Sequence, residues 1–246
     1  ALQVAGRPLA LGRNQLVLDL SRKEVTGYLF EHLNTLLEEH PIAYLKWDMN
    51  RDLAQACSAD GRAAYQAQVP ALYALMDRLR AAHPAVEIES CASGGGRADF
   101  GVLQQTHRLW TSDNNDATSR VAIQSGALRL FPPEVLGSHV GPAPAHATGR
   151  SQSMDFRCAV ACFGHMGIEA DVRLLPQAER ETLAQWVAFY KQWRDVMHHG
   201  RFFQGHTPQG CTWWLSLTDT QAVLAVFTVQ APDYAHRPPL RLPSAM

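Results

Sequence analysis

Three short stretches of this chain carry residue types and spacings that could do chemistry. The first is KWDMNR, residues 46–51. Lys46 and Asp48 are two apart, so on a strand they share a face, and the ammonium would hold the carboxylate ionised. An ionised Asp in a cleft can be a nucleophile, a general base or a metal ligand. The same two residues would also serve as a structural ion pair. Trp47 between them offers a ligand an apolar wall. The second stretch is ESCASGGGR, residues 89–97. Its glycines let backbone approach a ligand closely. They could cradle a phosphate, but no G-K-[ST] completes a P-loop, and a plain strand-to-helix turn explains them too. The third is WTSDNNDA, residues 110–117. Asp113 closes a candidate strand, and Asp116 is placed to cap the next helix.

Two Asp at the ends of neighbouring strands of one barrel converge on its mouth. Carboxyl groups about 5–5.5 Å apart are what a retaining glycosidase needs, one to attack the anomeric carbon and one to protonate the leaving oxygen. The first must stay ionised. The second must hold a proton near neutral pH, which a drier site and a neighbouring anion promote.

The elements that would position these residues are legible as patterns. Six short apolar runs read as strands: residues 15–19, 44–48, 86–91, 109–113, 135–140 and 167–171. Residues 25–39, 64–82, 119–126, 155–163 and 178–197 read as helices, the last with an apolar and aromatic stripe through Trp186, Tyr190 and Trp193. Strand–helix alternation predicts an α/β fold with a parallel sheet. No G-x-G-x-x-G follows the first strand, so there is no dinucleotide signature. Polar residues instead sit at the carboxyl ends of the strands: Asp19, Asp48, Cys91, Asp113, His139 and Glu169. In a (β/α)8 TIM barrel that end carries the active site. About six of its eight strands are present, so the expectation is a partial barrel over residues 1–200. Beyond it, residues 211–217 and 222–229 alternate at period two around a turn, as an antiparallel hairpin does. Residues 201–246 are therefore expected to be part of a carboxy-terminal β-sandwich domain, whose end, DYAHRPPLRLPSAM, is too rich in Pro to continue a sheet. Trp213 and Trp214 alternate faces on one strand, so one is expected to face out. The chain reads as one cut at the front and incomplete at the back.

Composition narrows the partners. The net charge is −1 over 246 residues, which gives no reason to expect nucleic acid or an anionic membrane surface. No apolar run approaches the ~20 residues of a spanning helix, and the opening ALQVAGRPLALGR lacks the pattern of a signal peptide. Five scattered Cys do not make a disulfide framework, which fits a reducing, cytoplasmic setting. Cys158 and Cys162, four apart on a helix, could meet one metal, but no second ligand pair accompanies them, so they read as small buried hydrophobes. His139 could reach the cleft or be a hydrogen-bonded structural residue, and His165, His198 and His199 lack a companion carboxylate at zinc spacing. No metal and no cofactor are expected.

KWDMNR, SCASGGGR and WTSDNNDA, in that order and spacing, resemble the signature of glycoside hydrolase family 36, the α-galactosidases of the melibiase type. RNQLVLDL at 13–20, GSHV at 137–140 and the stretch 163–171 resemble the family as well. The resemblance covers residues from about 10 to 230. It implies Asp48 as nucleophile and Asp113 as acid/base in a double displacement on terminal α-galactosides such as melibiose and raffinose. It implies Arg13 and Lys46 as partners of sugar hydroxyls, Cys91 and Gly94 around the 2-hydroxyl, and Trp110 as an apolar wall. It also implies a homo-oligomer, commonly a tetramer. The chain departs from the pattern in reading N-D-A where T-D-A is usual, and in placing Ser93 where the run is usually Gly. A larger departure is that the family's amino-terminal β domain and two barrel strands, which bring a Trp and paired Asp to the galactose 4- and 6-hydroxyls, have no counterpart here. Unpaired polar groups are costly in hydroxyl recognition. The alternatives are therefore a truncated, non-catalytic segment or a subunit needing a partner chain, and a related α-N-acetylgalactosaminidase or galactosyl transferase.

Overall fold

The computed structural model describes residues 1–207 and 210–229. The chain divides into two compact units, Ala1–Trp110 and Thr111–Met246. Both are built from parallel β/α repeats of a partial (β/α)8 barrel, and the second also carries an antiparallel sheet.

In the first unit α1 (Lys23–Glu39), β1 (Tyr44–Asp48), α2 (Tyr65–Ala82), β2 (Glu87–Cys91), α3 (Phe100–Gln105) and β3 (Arg108–Trp110) follow in order. β1 pairs with β2 and β2 with β3, all parallel. The register sets Lys46 opposite Glu89 and Asp48 opposite Cys91. Side chains alternate on a strand, so Leu45 and Trp47 turn to the helix layer. There Leu37, Leu75, Leu79 and Val86 form a core against which both pack. The opposite face of β1 carries Tyr44, Lys46 and Asp48.

In the second unit α4 (Ala117–Ala127), β4 (Leu136–Val140), α5 (Met154–Ala161), β5 (His165–Ile168) and α6 (Gln177–His199) precede three antiparallel strands, β6 (Arg201–His206), β7 (Cys211–Leu217) and β8 (Ala222–Thr228). β4 and β5 are parallel, with His139 opposite Gly167. Two helices begin as their sequences require: Asp116 accepts from the amides of Thr118 and Ser119 ahead of α4, and Ser153 accepts from Phe156 ahead of α5. β7 lies between β6 and β8. Trp214, fully buried, packs with Phe163, Val121, Val196, Met197 and Phe227, so helices and antiparallel sheet share one core. Its indole N–H donates to Ser125 Oγ at 3.0 Å, and Ser216 donates to the carbonyl of Val196 near the end of α6 at 2.7 Å. Trp213 is only partly buried.

Three departures from the sequence pattern have physical causes. Residues 15–19 are not a strand. Gly12 and Gln15 instead bracket a tight turn, each donating to the other's carbonyl, with Arg13 (φ 51°) and Asn14 (φ 59°) both left-handed. That is the geometry of a two-residue hairpin turn. An apolar run becomes a strand only when a neighbour supplies a ladder, and Val17 here accepts one bond, from Leu2. β6 was not anticipated because RFFQGH breaks alternation with adjacent Phe202 and Phe203. It forms because Gly205 leaves room for the Trp213 ring, 2.6 Å from where a Cβ would stand. The strand after the glycine run and α3 is shorter than expected, ending at Trp110, so Asp113 stands in a bend past β3 rather than on it. The proline-rich end, 233–246, lies outside the described residues.

Candidate active site

At the carboxyl end of β1 the Asp48 carboxylate is solvent-exposed and held by side chains. Asn50 donates from Nδ2 to Asp48 Oδ2 at 2.8 Å, and its own Oδ1 accepts from the Ser93 amide at 2.7 Å. One amide thus ties the end of β1 to the glycine-rich turn. Across the sheet the Cys91 thiol hydrogen-bonds Asp48. Burial pushes that thiol up to about 11, opposed by the Gly94 amide and reinforced by the charge and hydrogen bond of Asp48. Cys91 is therefore a neutral donor at ordinary pH. The turn itself needs left-handed backbone at Ser93 (φ 50°) and Gly94 (φ 84°). Gly96 is required by space, since a Cβ there would lie 2.7 Å from the Ala92 carbonyl. Arg97 reaches back to the carbonyls of Cys91 and Met49, closing both loops from beneath.

Lys46 stands on the same face as Asp48, but its ion-pair partner is Glu89, at 3.4 Å. The sequence reading paired Lys46 with Asp48. The register explains the correction: Glu89 is directly across the parallel pair, while Asp48 lies two residues farther along the strand. The Lys46 ammonium also sits 4.1 Å from the centre of the Trp110 ring, within cation–π range. Trp110 is buried beneath it. Trp47 does not share this face. It packs under α1 and α2 with Leu72 and Met76, and with Asp48 it lines a cavity of about 340 Å³ bordered also by Leu16, Leu18, Met49 and Arg97. Trp47 thus faces the helices, as strand alternation dictates, and meets the cavity at Asp48 from that side. Arg13 is exposed at the tip of its turn, and Arg51 anchors that turn by donating to the Ala10 carbonyl at 2.7 Å.

In the second unit Asp113 is exposed in a bend that buried groups fix from behind. Arg120, 1% exposed, donates to Thr111 Oγ1 and to the Ser112 carbonyl, the two residues before Asp113. The Asn114 amide donates to Ser112 Oγ and the Asp116 amide to Asn114 Oδ1, both at 3.1 Å. Burial would raise the Asp116 pKa, but hydrogen bonds from Thr148, Arg150 and two helix amides hold it below the usual carboxylate range. Asn115 and His139 both contact Glu169 Oε2, at 3.0 and 3.1 Å. His139 is thus a paired residue at the end of β4. His165 and His198 contact the carbonyls of Glu134 and Gly164, and burial holds the His198 pKa below its ordinary value.

Sequence reasoning missed Asn50, Glu89, Arg97 and Arg120. Asn50 was visible two residues past Asp48, and Arg97 at the end of the glycine run. Glu89 and Arg120 act through burial, which a sequence does not display. All five cysteines are free. Among the described residues, no group of three or more His, Cys, Asp or Glu could hold a metal, and no helix is long and apolar enough to cross a membrane.

Comparison with known proteins places this geometry. Residues 1–200 match the melibiase family model. An α-galactosidase of Escherichia coli is 44% identical over 248 residues, covering 98% of this chain and 34% of that protein. The α-galactosidase AgaA of Geobacillus stearothermophilus is 38% identical over 250 residues, 98% of this chain and 34% of its own length. The crystal structure of AgaA superimposes with a TM-score of 0.89 at 37% identity, over 95% of this chain and 34% of that one. A variant of AgaA in complex with raffinose matches with a TM-score of 0.86 at 37% identity, over 92% of this chain and 33% of that one. The chain spans about a third of the length of these relatives. With four-fifths of its residues matched to the family model, the chain belongs to the melibiase family of glycoside hydrolases.

Proposed function

We propose that the protein hydrolyses terminal α-galactosides of the melibiose and raffinose type with retention, with Asp48 as nucleophile and Asp113 as acid/base. The observation that carries this reading is the Asp48 carboxylate, exposed at a strand end and oriented by donors from Asn50 and Cys91. Neither donor is a permanent cation, so the oxygen remains nucleophilic while its direction is fixed. Asp48 attacks the anomeric carbon as Asp113 protonates the leaving oxygen. Asp113 then takes the proton of the water that opens the galactosyl ester. Lys46 and Arg13 donate to sugar hydroxyls, and Cys91 with the Gly94 amide shapes the space around the 2-hydroxyl, with Trp110 as the floor under Lys46. Relatives crystallised with raffinose and stachyose support this substrate class. The reading includes a barrel portion at 1–200, a β-domain portion at 201–246, a homo-oligomer and a cytoplasmic setting, the last supported by five free thiols.

The test is hydrolysis of p-nitrophenyl α-galactoside by the full-length protein against Asp48→Asn and Asp113→Asn. Unchanged rates in both variants would sink the reading. A strong preference for the N-acetylated analogue would favour the related α-N-acetylgalactosaminidase, since an acetamido group must fit beside Cys91. A second reading, a segment whose site is completed by other polypeptide, is favoured by the apolar cavity at Asp48 and the exposed Leu16 and Leu18 along it. Activity of residues 1–246 alone as a monomer would refute it.

A further inference from the structure

Glu89 is a buried acid that the proposed mechanism does not use. It is 1% exposed, in the middle of β2. One of its oxygens, Oε1, accepts no hydrogen bond and faces the Lys46 ammonium at 3.4 Å. The Tyr44 hydroxyl hydrogen-bonds the same carboxylate, and burial together with the Glu89 charge pushes the Tyr44 pKa well above its ordinary value. Tyr44, Lys46 and Glu89 lie on one face of two paired strands, with the Trp110 ring 4.1 Å from the ammonium. A carboxylate this buried is costly unless a cation and further donors satisfy it. Lys46 is the cation across the register, and its side chain is one-third exposed toward the face that carries Asp48.

We propose that Glu89 is a positioning residue that holds the Lys46 ammonium over Trp110 and away from Asp48, so that Lys46 meets the sugar while the nucleophile keeps its own charge. The inference rests on the proposed sugar-binding role of Lys46. A lysine side chain has a flexible four-carbon stem, and a free ammonium would be drawn to the nearest open carboxylate. Glu89 removes that choice: the ammonium is anchored from below by a carboxylate that substrate cannot reach. Its remaining donors point outward to a hydroxyl, and Asp48 is left with the neutral donors Asn50 and Cys91.

The experiment is a double-mutant cycle in the full-length protein, with Glu89→Gln, Lys46→Met and the pair, read as KM and kcat on p-nitrophenyl α-galactoside and as Tm. Glu89→Gln should raise KM about tenfold or more, with kcat changed less, and should have no further effect on KM in the Lys46→Met background. Lys46→Met should itself raise KM. If Glu89→Gln raises KM as strongly in the Lys46→Met background, Glu89 does not act through Lys46 and the inference is overturned. If Lys46→Met raises KM while Glu89→Gln leaves it alone, the inference fails and the sugar-binding reading stands. If Lys46→Met leaves KM unchanged, the reading beneath it fails. Should Glu89→Gln not fold, Tyr44→Phe removes one donor to the same carboxylate. It should give a smaller rise in KM that also vanishes in the Lys46→Met background, and an undiminished rise there overturns the inference.

Discussion

Each unit carries one of the two proposed carboxylates, and different contacts surround them. Asp48 is held by contacts to the carboxylate itself, from Asn50 and Cys91. Around Asp113 the hydrogen bonds that shape the bend go to its neighbours: Arg120 grips Thr111 and Ser112, and Asp116, clamped by Thr148 and Arg150, fixes the start of α4. The difference suits the two proposed tasks. A nucleophile needs its lone pairs aimed along one line. An acid/base must exchange a proton with two different oxygens in turn, and the buried groups behind the bend fix the backbone from which Asp113 would do so.

The largest effect that could break the comparison comes from the carboxylates. Asp48→Asn should lower kcat on p-nitrophenyl α-galactoside by about 10³-fold or more, since no covalent ester can form. Asp113→Asn should lose about 10²- to 10⁴-fold on raffinose, whose leaving sugar must be protonated, the range of general acid–base catalysis. Less should be lost on a substrate whose leaving group needs no proton, and equal losses on good and poor leaving groups would erase the assigned roles. Next is Arg120→Met, which takes the guanidinium from the Ser112 carbonyl and leaves the Thr111 hydroxyl only its bond to the buried Gln124. A cost of about 1–3 kcal/mol in stability is expected, seen as a lower Tm, with kcat falling more than KM rises as the Asp113 bend slackens. Asp116→Asn should cost about 1 kcal/mol at neutral pH through its cap. The Asp116 pKa is lowered in the folded chain, so its stabilisation is complete above the ordinary carboxyl value of about 3.9 and fades as pH falls through the folded value. The Tm gap between wild type and variant should therefore narrow in acid and stay flat above about pH 5; a gap that widens in acid would contradict the assignment. The smallest effect is Asn50→Ala, which should reduce kcat/KM several-fold while leaving Tm within about a degree, because Cys91 still holds the carboxylate.

How far the molecule could be read beforehand depends on where the information lies. β1 and β7 have the bounds their patterns predict, and Asp116 caps α4 as its type and position require. These are local rules, satisfied within a few residues. Residues 15–19 show the limit: the run is apolar enough for a strand, but strand formation depends on a neighbour, and Arg13 with Asn14 folds the chain into a turn instead. Trp47 shows another limit. Alternation along β1 turns it to the face opposite Asp48, yet both line one cavity, a placement that sequence spacing does not display. Glu89 and Arg120 were invisible because a buried charged residue looks like a surface one until its register or fold is known.

The packing of Trp214 has a consequence for how this sequence can change over time. Its ring is edge-on to Phe163 and to Phe227, with centroids 5.6 and 4.6 Å away, so one side chain touches both the segment before β5 and the last strand of the antiparallel sheet. The melibiase match stops at residue 200, between Val196 and Met197 on one side and Trp214 on the other, all three in the same core. A recombination joint placed there would part residues that pack in one core. The strands β6–β8 are therefore poor cargo for exchange between relatives: they should travel with α4 to α6, and substitutions at Val121, Phe163 and Trp214 should be inherited together.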